Sequence, residues 1–307
     1  MGRDSSLPTG RQFEIKSGDQ SAVVTEVGAT LRSYRIGERE FLDTFGPEAM
    51  SDHSRGQTLL PWPNRIEGGR YEFEGEEYQL PINEVDKDAA LHGLVCWSNW
   101  NCLEQDEDRV VMGLVLHPRK GYPHVLSLEI EYALSGAGLG VRTTVTNIGE
   151  TSLPFGASHH PYFTVGTPKV DTCKLRVPAG TYFQTDEHLI PTGQAGVEGT
   201  EYDFREGKEI GDIQLDTCFT DVTPDPDGLT RVVFTHPDGD PEITLWMDSE
   251  NGFIQVFTGD TLPDESHRRG IAIEPMTCAP NAFNTGVGLR VLQSGETFTT
   301  TWGIGVS

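Results

Sequence analysis

Apolar side chains recur along this chain at every second position far more often than at every third or fourth. Alternating or β-branched runs cover residues 21–27, 109–116, 126–134, 140–147, 231–235, 242–246, 253–258 and 297–303. An extended strand turns successive side chains to opposite faces, so these runs describe strands with one face in a core. Each is bounded by Gly, Pro, Asn or Asp. Tight turns are expected at Gly75, Asn147-Ile148-Gly149, Asp227-Gly228, Asp238-Gly239 and Asn251-Gly252. No long segment sustains a helical period. Strand following strand without intervening helices predicts an all-β sandwich or barrel.

Composition supports that picture. The 35 Gly and 19 Pro are spread over the whole chain, as many short strands joined by turns require. No Pro/Ser-rich linker divides the chain, and the change of character at 222–228 is short enough to be a loop. Residues 1–307 are therefore expected to form one domain. No apolar run approaches membrane-spanning length, and Met1-Gly2-Arg3-Asp4 lacks the basic-then-apolar pattern of a secretory signal. The five cysteines form no CxxC pair and there is no N-x-S/T sequon, which points to buried free thiols in a reducing cytoplasm.

Charge narrows the partners. Forty-seven acidic residues face 23 basic ones, of which only six are Lys, for a net charge of −24. The acids are distributed along the whole chain, and such a field repels nucleic acid and anionic membrane. An acidic, lysine-poor surface fits high salt, where screening suppresses self-repulsion.

Several motifs are decoys. Gly136, Gly138 and Gly140 lie in a strand-turn-strand pattern with no helix to receive a phosphate. Asp225-Pro226-Asp227-Gly228 opens like a calcium loop but has the wrong ligand spacing. HExxH, GxSxG and zinc-spaced Cys/His clusters are all missing from the sequence, so no metal site is expected.

Four stretches carry more than strand-and-turn structure needs. In Ser158-His159-His160-Pro161-Tyr162-Phe163 an extended backbone lets only one histidine enter a given pocket. Ser158, His160 and Tyr162 share one face and His159 the other, with Ala157 and Phe163. Local pattern leaves open which face is functional. Arg65, among Pro, Trp and Ile, needs an acceptor, and its planar fork suits vicinal hydroxyls or a structural carboxylate equally. Asp216 lies in an apolar strand-like run. Glu274 follows Ile271-Ala272-Ile273, a context that buries a carboxylate at a cost. Buried acids with histidines nearby are common at catalytic sites.

The order Asn64-Arg65-Ile66, Gly75, Tyr78, Leu80, Asn83, Leu91-His92-Gly93, then His160-x-Tyr162-Phe163, Asp216 before an aromatic, and Glu274-Pro275-Met276 with Asn281-Ala282-Phe283-Asn284 resembles the aldose 1-epimerases, or mutarotases. The resemblance spans nearly the whole chain, and the Glu274–Asn284 segment is similar to the broader bacterial and archaeal branch. It implies a large antiparallel β-sandwich with a sugar cleft on its concave face. It also implies Glu274 as general base, His160 as general acid, and Arg65, His92 and Asp216 as ligands of the sugar hydroxyls.

The chemistry is coherent. Exchanging α and β anomers takes a proton from the C1 hydroxyl and gives one to the ring oxygen. A base and an acid on opposite sides of the hemiacetal suffice without metal or redox cofactor. With ordinary pKa values Glu is ionised and an imidazole proton is available near neutrality. The expected partner is a free hexose, bound by a monomer or homodimer. A phosphorylated or otherwise anionic hexose would need extra cations, for which Arg268-Arg269, read as a solvated turn, is the nearest candidate. A non-catalytic carbohydrate-binding protein would dispense with Glu274 or His160, and both are present.

The charge generates the first prediction. Lowering ionic strength is expected to lower the melting temperature through unscreened carboxylate repulsion. Thermal melts in dilute buffer and in molar salt test it, and equal stability in dilute buffer removes the high-salt reading.

Overall fold

The computed structural model describes residues 6–307; the signal-type pattern considered at Met1–Asp4 lies outside the described residues. Strands make up nearly all of the regular structure, and the one α-helix among the described residues is a single turn, Ala282–Thr285. The alternating runs become strands with ends moved by a few residues. Residues 109–116 are strand Arg109–Leu116, 126–134 lie in Leu126–Ser135 and 297–303 in Thr297–Val306. The turn at Gly75 joins Arg70–Phe73 to Glu76–Gln79 through Glu74 and Gly75, both with positive φ (52° and 84°), as a two-residue hairpin of right-handed twist demands.

Two large sheets dominate, and every pairing between strands is antiparallel. The nine-stranded sheet runs from edge strand Asn101–Gln105 through Arg109–Leu116, Leu126–Ser135, Gly138–Asn147, Thr297–Val306, Glu242–Met247 and Thr230–Thr235 to Lys174–Arg176 and Lys208–Glu209. The eight-stranded sheet runs Pro191–Gly196, Ala179–Thr185, Asp216–Val222, Phe253–Phe257, Ile271–Met276, Ser158–His159 and Thr58–Leu59, with Tyr162–Phe163 also paired to Ile271–Met276. A four-stranded meander over residues 12–40 packs alongside, tied in where the Tyr132 hydroxyl donates to Ala29 O at 2.7 Å.

The core lies between the large sheets. From the nine-stranded sheet come Leu126, Leu128, Ile130, Tyr132, Val141 and Val145, and from the other Phe219, Ile254, Val256, Ile271 and Ile273, all buried in one contiguous cluster. At about 25 cal/mol per Å² of apolar surface, this interior is the main stabilising term of the fold. Polar side chains in it are few. Thr143, on an inward position of Gly138–Asn147, meets His159 Nε2 at 2.8 Å across the sandwich, and the His159 ring packs 5.3 Å from Trp302. Four of the five free cysteines are buried, while Cys102 is partly exposed because it lies on the edge strand.

Strand Ile271–Met276 is buried on both faces. Ile271 and Ile273 enter the core; Ala272, Glu274 and Met276 face away from it, beneath the connections that carry residues 51–68 and 89–96. Those connections approach closely. Leu60 bridges Gly93, whose φ is 76°, and a Cβ on Gly93 would lie 2.1 Å from Leu60 O. Only glycine fits there.

Burial alone pushes the His159 imidazole down to about 3. The unfolded chain takes up this proton near pH 6.5 and the native one refuses it, so stability is lost as pH falls from about 6.5 toward 3, by about 1.4 kcal/mol per pH unit. His159→Gln is expected to be less stable than the parent at pH 8, with the gap narrowing as pH is lowered. Urea unfolding over a pH series tests this; a constant gap refutes it.

Candidate active site

The register of the eight-stranded sheet assembles the site floor. Asp216 pairs with Phe257, Cys218 with Gln255, Gln255 with Glu274, Phe257 with Ala272, and Ala272 with Tyr162. Asp216, Gln255 and Glu274 thereby lie on the outward face in adjacent rows, and Gln255 Nε2 donates to Asp216 Oδ1 at 2.6 Å. His160, between two short strands, places Nε2 3.4 Å from Glu274 Oε1, and its ring stacks on Tyr162 with centroids 5.0 Å apart and planes 14° apart.

The opposite wall comes from residues 64–92. Asn64 and His92 both take left-handed conformations, with φ of 54° and 62°. They clasp one another: His92 N–H donates to Asn64 O at 3.0 Å, and Asn64 N–H donates to His92 Nδ1 at 3.2 Å. With Nδ1 accepting, the neutral His92 ring carries its proton on Nε2. The His92 and His160 rings meet edge to face, with centroids 5.3 Å apart and planes at 86°. Arg65 is gripped through Nε and Nη2 by Glu84 at 2.7 and 2.8 Å, and its Nη1 edge has no partner among the described residues.

Arg65, His92, His160, Asp216 and Glu274 line one cleft of about 180 Å³, together with Asn64, Glu84, Tyr162, Phe257 and Leu262. His159 points the other way, into the core. The acid–base candidates lie side by side. Of the two kinds of partner open to Arg65 it has the structural carboxylate, and it still presents one free edge. One expectation changes. Arg268 is no solvated turn: it is 5% exposed, bonded to Asp171 at 2.6 Å and paired with Asp260, while Arg269 binds Asp43 at 2.7 Å. Neither arginine lines the cleft.

Ionisation also departs from ordinary values. Burial, then the nearby Asp216, raises Glu274 well above the usual carboxyl range, against the pull of Arg65. Burial brings His160 down to about 3 and is joined by Arg55, while a bond to its own backbone works the other way. His92 is lowered by burial, His160 and Arg65. Asp216 is raised by burial, with Arg65 and Gln255 opposing. Burial also works against the Arg65 charge, but Glu84, Asp216 and Glu274 more than restore it. The environment thus favours an uncharged Glu274–His160 pair. Among the described residues no group of three or more His, Cys, Asp or Glu side chains is arranged to hold a metal, and no helix is long and apolar enough to cross a membrane.

Glu84 and Gln255 are the site residues that sequence reasoning missed. The signal for Gln255 was an amide in the otherwise apolar run Phe253-Ile254-Gln255-Val256-Phe257. Glu84 gave no local sign, since its partner lies 19 positions away.

The two-sheet sandwich is the fold of an aldose epimerase homologue from C. elegans, which superposes with a TM-score of 0.86 at 19% identity, over 96% of this chain and 98% of that one. The chain belongs to the aldose 1-epimerase family, whose profile matches residues 11–304. Its relatives include the uncharacterized protein YihR of Escherichia coli, 35% identical over 94% of this chain and 91% of that protein. The galactose mutarotase of Rattus norvegicus is 28% identical over 67% of this chain and 64% of the rat protein. Family membership makes the protein an isomerase of the mutarotase type.

The two kinds of ion pair predict different stabilities. Glu84→Gln removes the charge from a largely buried bidentate pair and is expected to cost about 2 kcal/mol. Asp227→Asn, at the exposed pair with Arg231, is expected to cost clearly less, because solvent screens that pair. Urea unfolding of the two variants decides it; equal losses would mean that Glu84 anchors nothing.

Proposed function

We propose that this protein interconverts the α and β anomers of a free hexose, with Glu274 and His160 transferring the protons and Arg65, His92 and Asp216 holding the hydroxyls. The observation that carries the reading is the 3.4 Å approach of His160 Nε2 to Glu274 Oε1 on the cleft floor, both side chains being buried.

In the charged form of the pair, Glu274 takes the proton of the C1 hydroxyl while His160 gives one to the ring oxygen. The bond from C1 to the ring oxygen breaks and C1 becomes an aldehyde carbon. The pair is now uncharged, which is the arrangement burial favours, so the surroundings support the open-chain state. Rotation about C1–C2 presents the other face of the aldehyde. The C5 hydroxyl attacks it, returning its proton to His160, and Glu274 returns the other to O1. One proton circulates through each residue and the pair ends as it began. Nε2–H of His92 and the free edge of Arg65 are donors, and Asp216 is an acceptor. This mixed set suits hydroxyl groups, which both give and take hydrogen bonds. Glu84 and Asp216 outnumber the one cation, Arg65, that lines the cleft among the described residues, which favours an uncharged sugar over a phosphorylated one.

Polarimetry of freshly dissolved α-anomers, with spontaneous mutarotation subtracted, tests the proposal over a panel of neutral and anionic sugars. Glu274→Gln and His160→Asn are each expected to lower kcat by about 10²–10⁴-fold. Arg65→Lys, which keeps charge but loses the fork, is expected to act mainly on KM. Folded pair variants with parental kcat would refute the acid–base assignment. Faster turnover of an anionic hexose than of every neutral one would replace the substrate class alone.

A further inference from the structure

The turn over residues 51–57 is interlaced with the segment that carries His160. Gly56 N–H donates to His160 O at 2.9 Å, His160 N–H donates to Gln57 O at 3.0 Å, and Asp43 N–H donates to Tyr162 O at 2.8 Å. The turn is tight: His53, Ser54 and Gly56 have φ of 47°, 62° and 67°, and a Cβ on Gly56 would lie 2.0 Å from Leu31 O. Left-handed conformations at non-glycine residues cost about 1–3 kcal/mol each and persist where surrounding structure compels them. Here the turn drives Arg55 into the interior at 2% exposure.

Inside, Arg55 is held from one side and occupied on another. Its Nε donates to Asp43 Oδ2 at 3.1 Å and its Nη1 to Asp52 Oδ1 at 2.6 Å. The guanidinium lies over the Tyr162 ring, 5.0 Å from its centroid, and the same ring stacks on the His160 imidazole. The Tyr162 hydroxyl donates to His53 O at 3.1 Å, which fixes the ring against the turn. A planar cation on an aromatic face is worth about 0.5–2 kcal/mol, enough to hold one ring orientation.

We propose that Arg55 is a positioning residue for the acid–base pair: it clamps Tyr162, which sets the plane of the His160 ring, and its fixed charge opposes a second proton on the pair. The proposal rests on the reading of His160 and Glu274 given above. The charged and titratable groups around His160 are Glu274 on its sheet neighbour, His92 on the opposite wall, Tyr162 and Arg55 from its own side, His53 from the turn, and Arg65 with Asp216 and Glu84 across the cleft. Asp43 and Asp52 screen Arg55 in part, so its effect on the pair is moderate rather than dominant.

The test is the pH profile of kcat in Arg55→Met and Arg55→Lys. Removing a cation eases each protonation of the coupled pair, so Arg55→Met is expected to move both limbs of the profile to higher pH by about half to one unit. KM should stay within about twofold. Arg55→Lys keeps the charge and should leave the limbs in place while lowering kcat several-fold through loss of the planar stack. A merely structural arginine would leave the limbs unmoved in Arg55→Met, and that result overturns the proposal. Unmoved limbs combined with inactive Glu274→Gln and His160→Asn would overturn it while leaving the acid–base reading intact. Full activity in both pair variants would remove the reading beneath it. Asp43 keeps Arg269 when Arg55 is replaced, at 2.7 Å, so no carboxylate is stranded. Should Arg55→Met still fail to fold, Tyr162→Leu retains the Arg55–Asp43–Asp52 cluster and removes the ring with its hydroxyl bond to His53 O. It is expected to lose about tenfold in kcat with KM kept; unchanged kcat there overturns the proposal equally.

Discussion

Glu274 puts an ionisable carboxyl in the middle of a strand whose six residues are all buried, and much of the surrounding structure answers to that constraint. An isolated carboxylate in such a place is too costly to keep charged, so its proton equilibrium depends on what stands around it. One oxygen faces His160, and the other has no hydrogen-bond partner among the described residues. Asp216, braced by Gln255, disfavours a charge on Glu274; Arg65, braced by Glu84, favours it. Each of these side chains is itself tied to a second residue. The balance is therefore set by rigid, paired groups on sheet rows and not by mobile side chains.

The strands were legible because alternation is a local property and the core enforces it. Leu126–Ser135 buries every second residue, just where the sequence alternates. The histidine doublet shows the limit of that logic. Alternation required His159 and His160 to diverge but carried no information on which face met the core. Thr143 and Trp302, both from the other sheet, take His159 into the sandwich, and only their tertiary placement decides the matter. Glu84 was illegible for a related reason, since its partner Arg65 lies 19 residues away. Gln255 was half legible: an amide in an apolar run marks the residue, but not its partner Asp216, 39 residues away.

Arg268 and Arg269 show the same limit from the side of charge. In a chain with twice as many acids as bases, an Arg-Arg pair beside Asp, Glu, Ser and His reads as solvated. Yet Arg268 reaches Asp171, 97 positions away, along with two backbone carbonyls, Ile213 O and Gly211 O. With so many carboxylates available, a buried guanidinium finds partners readily, and its planar fork binds several at once. The acid excess thus does two things: it covers the surface and it supplies the anchors for interior arginines such as Arg55, Arg65 and Arg268.

That supply of anchors bears on the cleft. An arginine already neutralised by a carboxylate remains a directional donor but contributes little net field. Arg65, with Glu84 on one edge, offers Nη1 to a ligand without making the cleft electropositive. Asp216 offers acceptors, and His92, its Nδ1 engaged by Asn64, offers Nε2–H. The recognition surface is thereby a pattern of oriented donors and acceptors in a partly dehydrated cleft. Hydrogen bonds in such a setting discriminate by geometry, because each hydroxyl that fails to match leaves a desolvated group unpaired. On the proposed reading the reaction centre is only C1, the ring oxygen and O1, so the same acid–base pair would serve any aldose. The proposal then leaves the choice of sugar to the wall residues, whose positions rest on Glu84, Gln255 and Asn64 rather than on the pair itself.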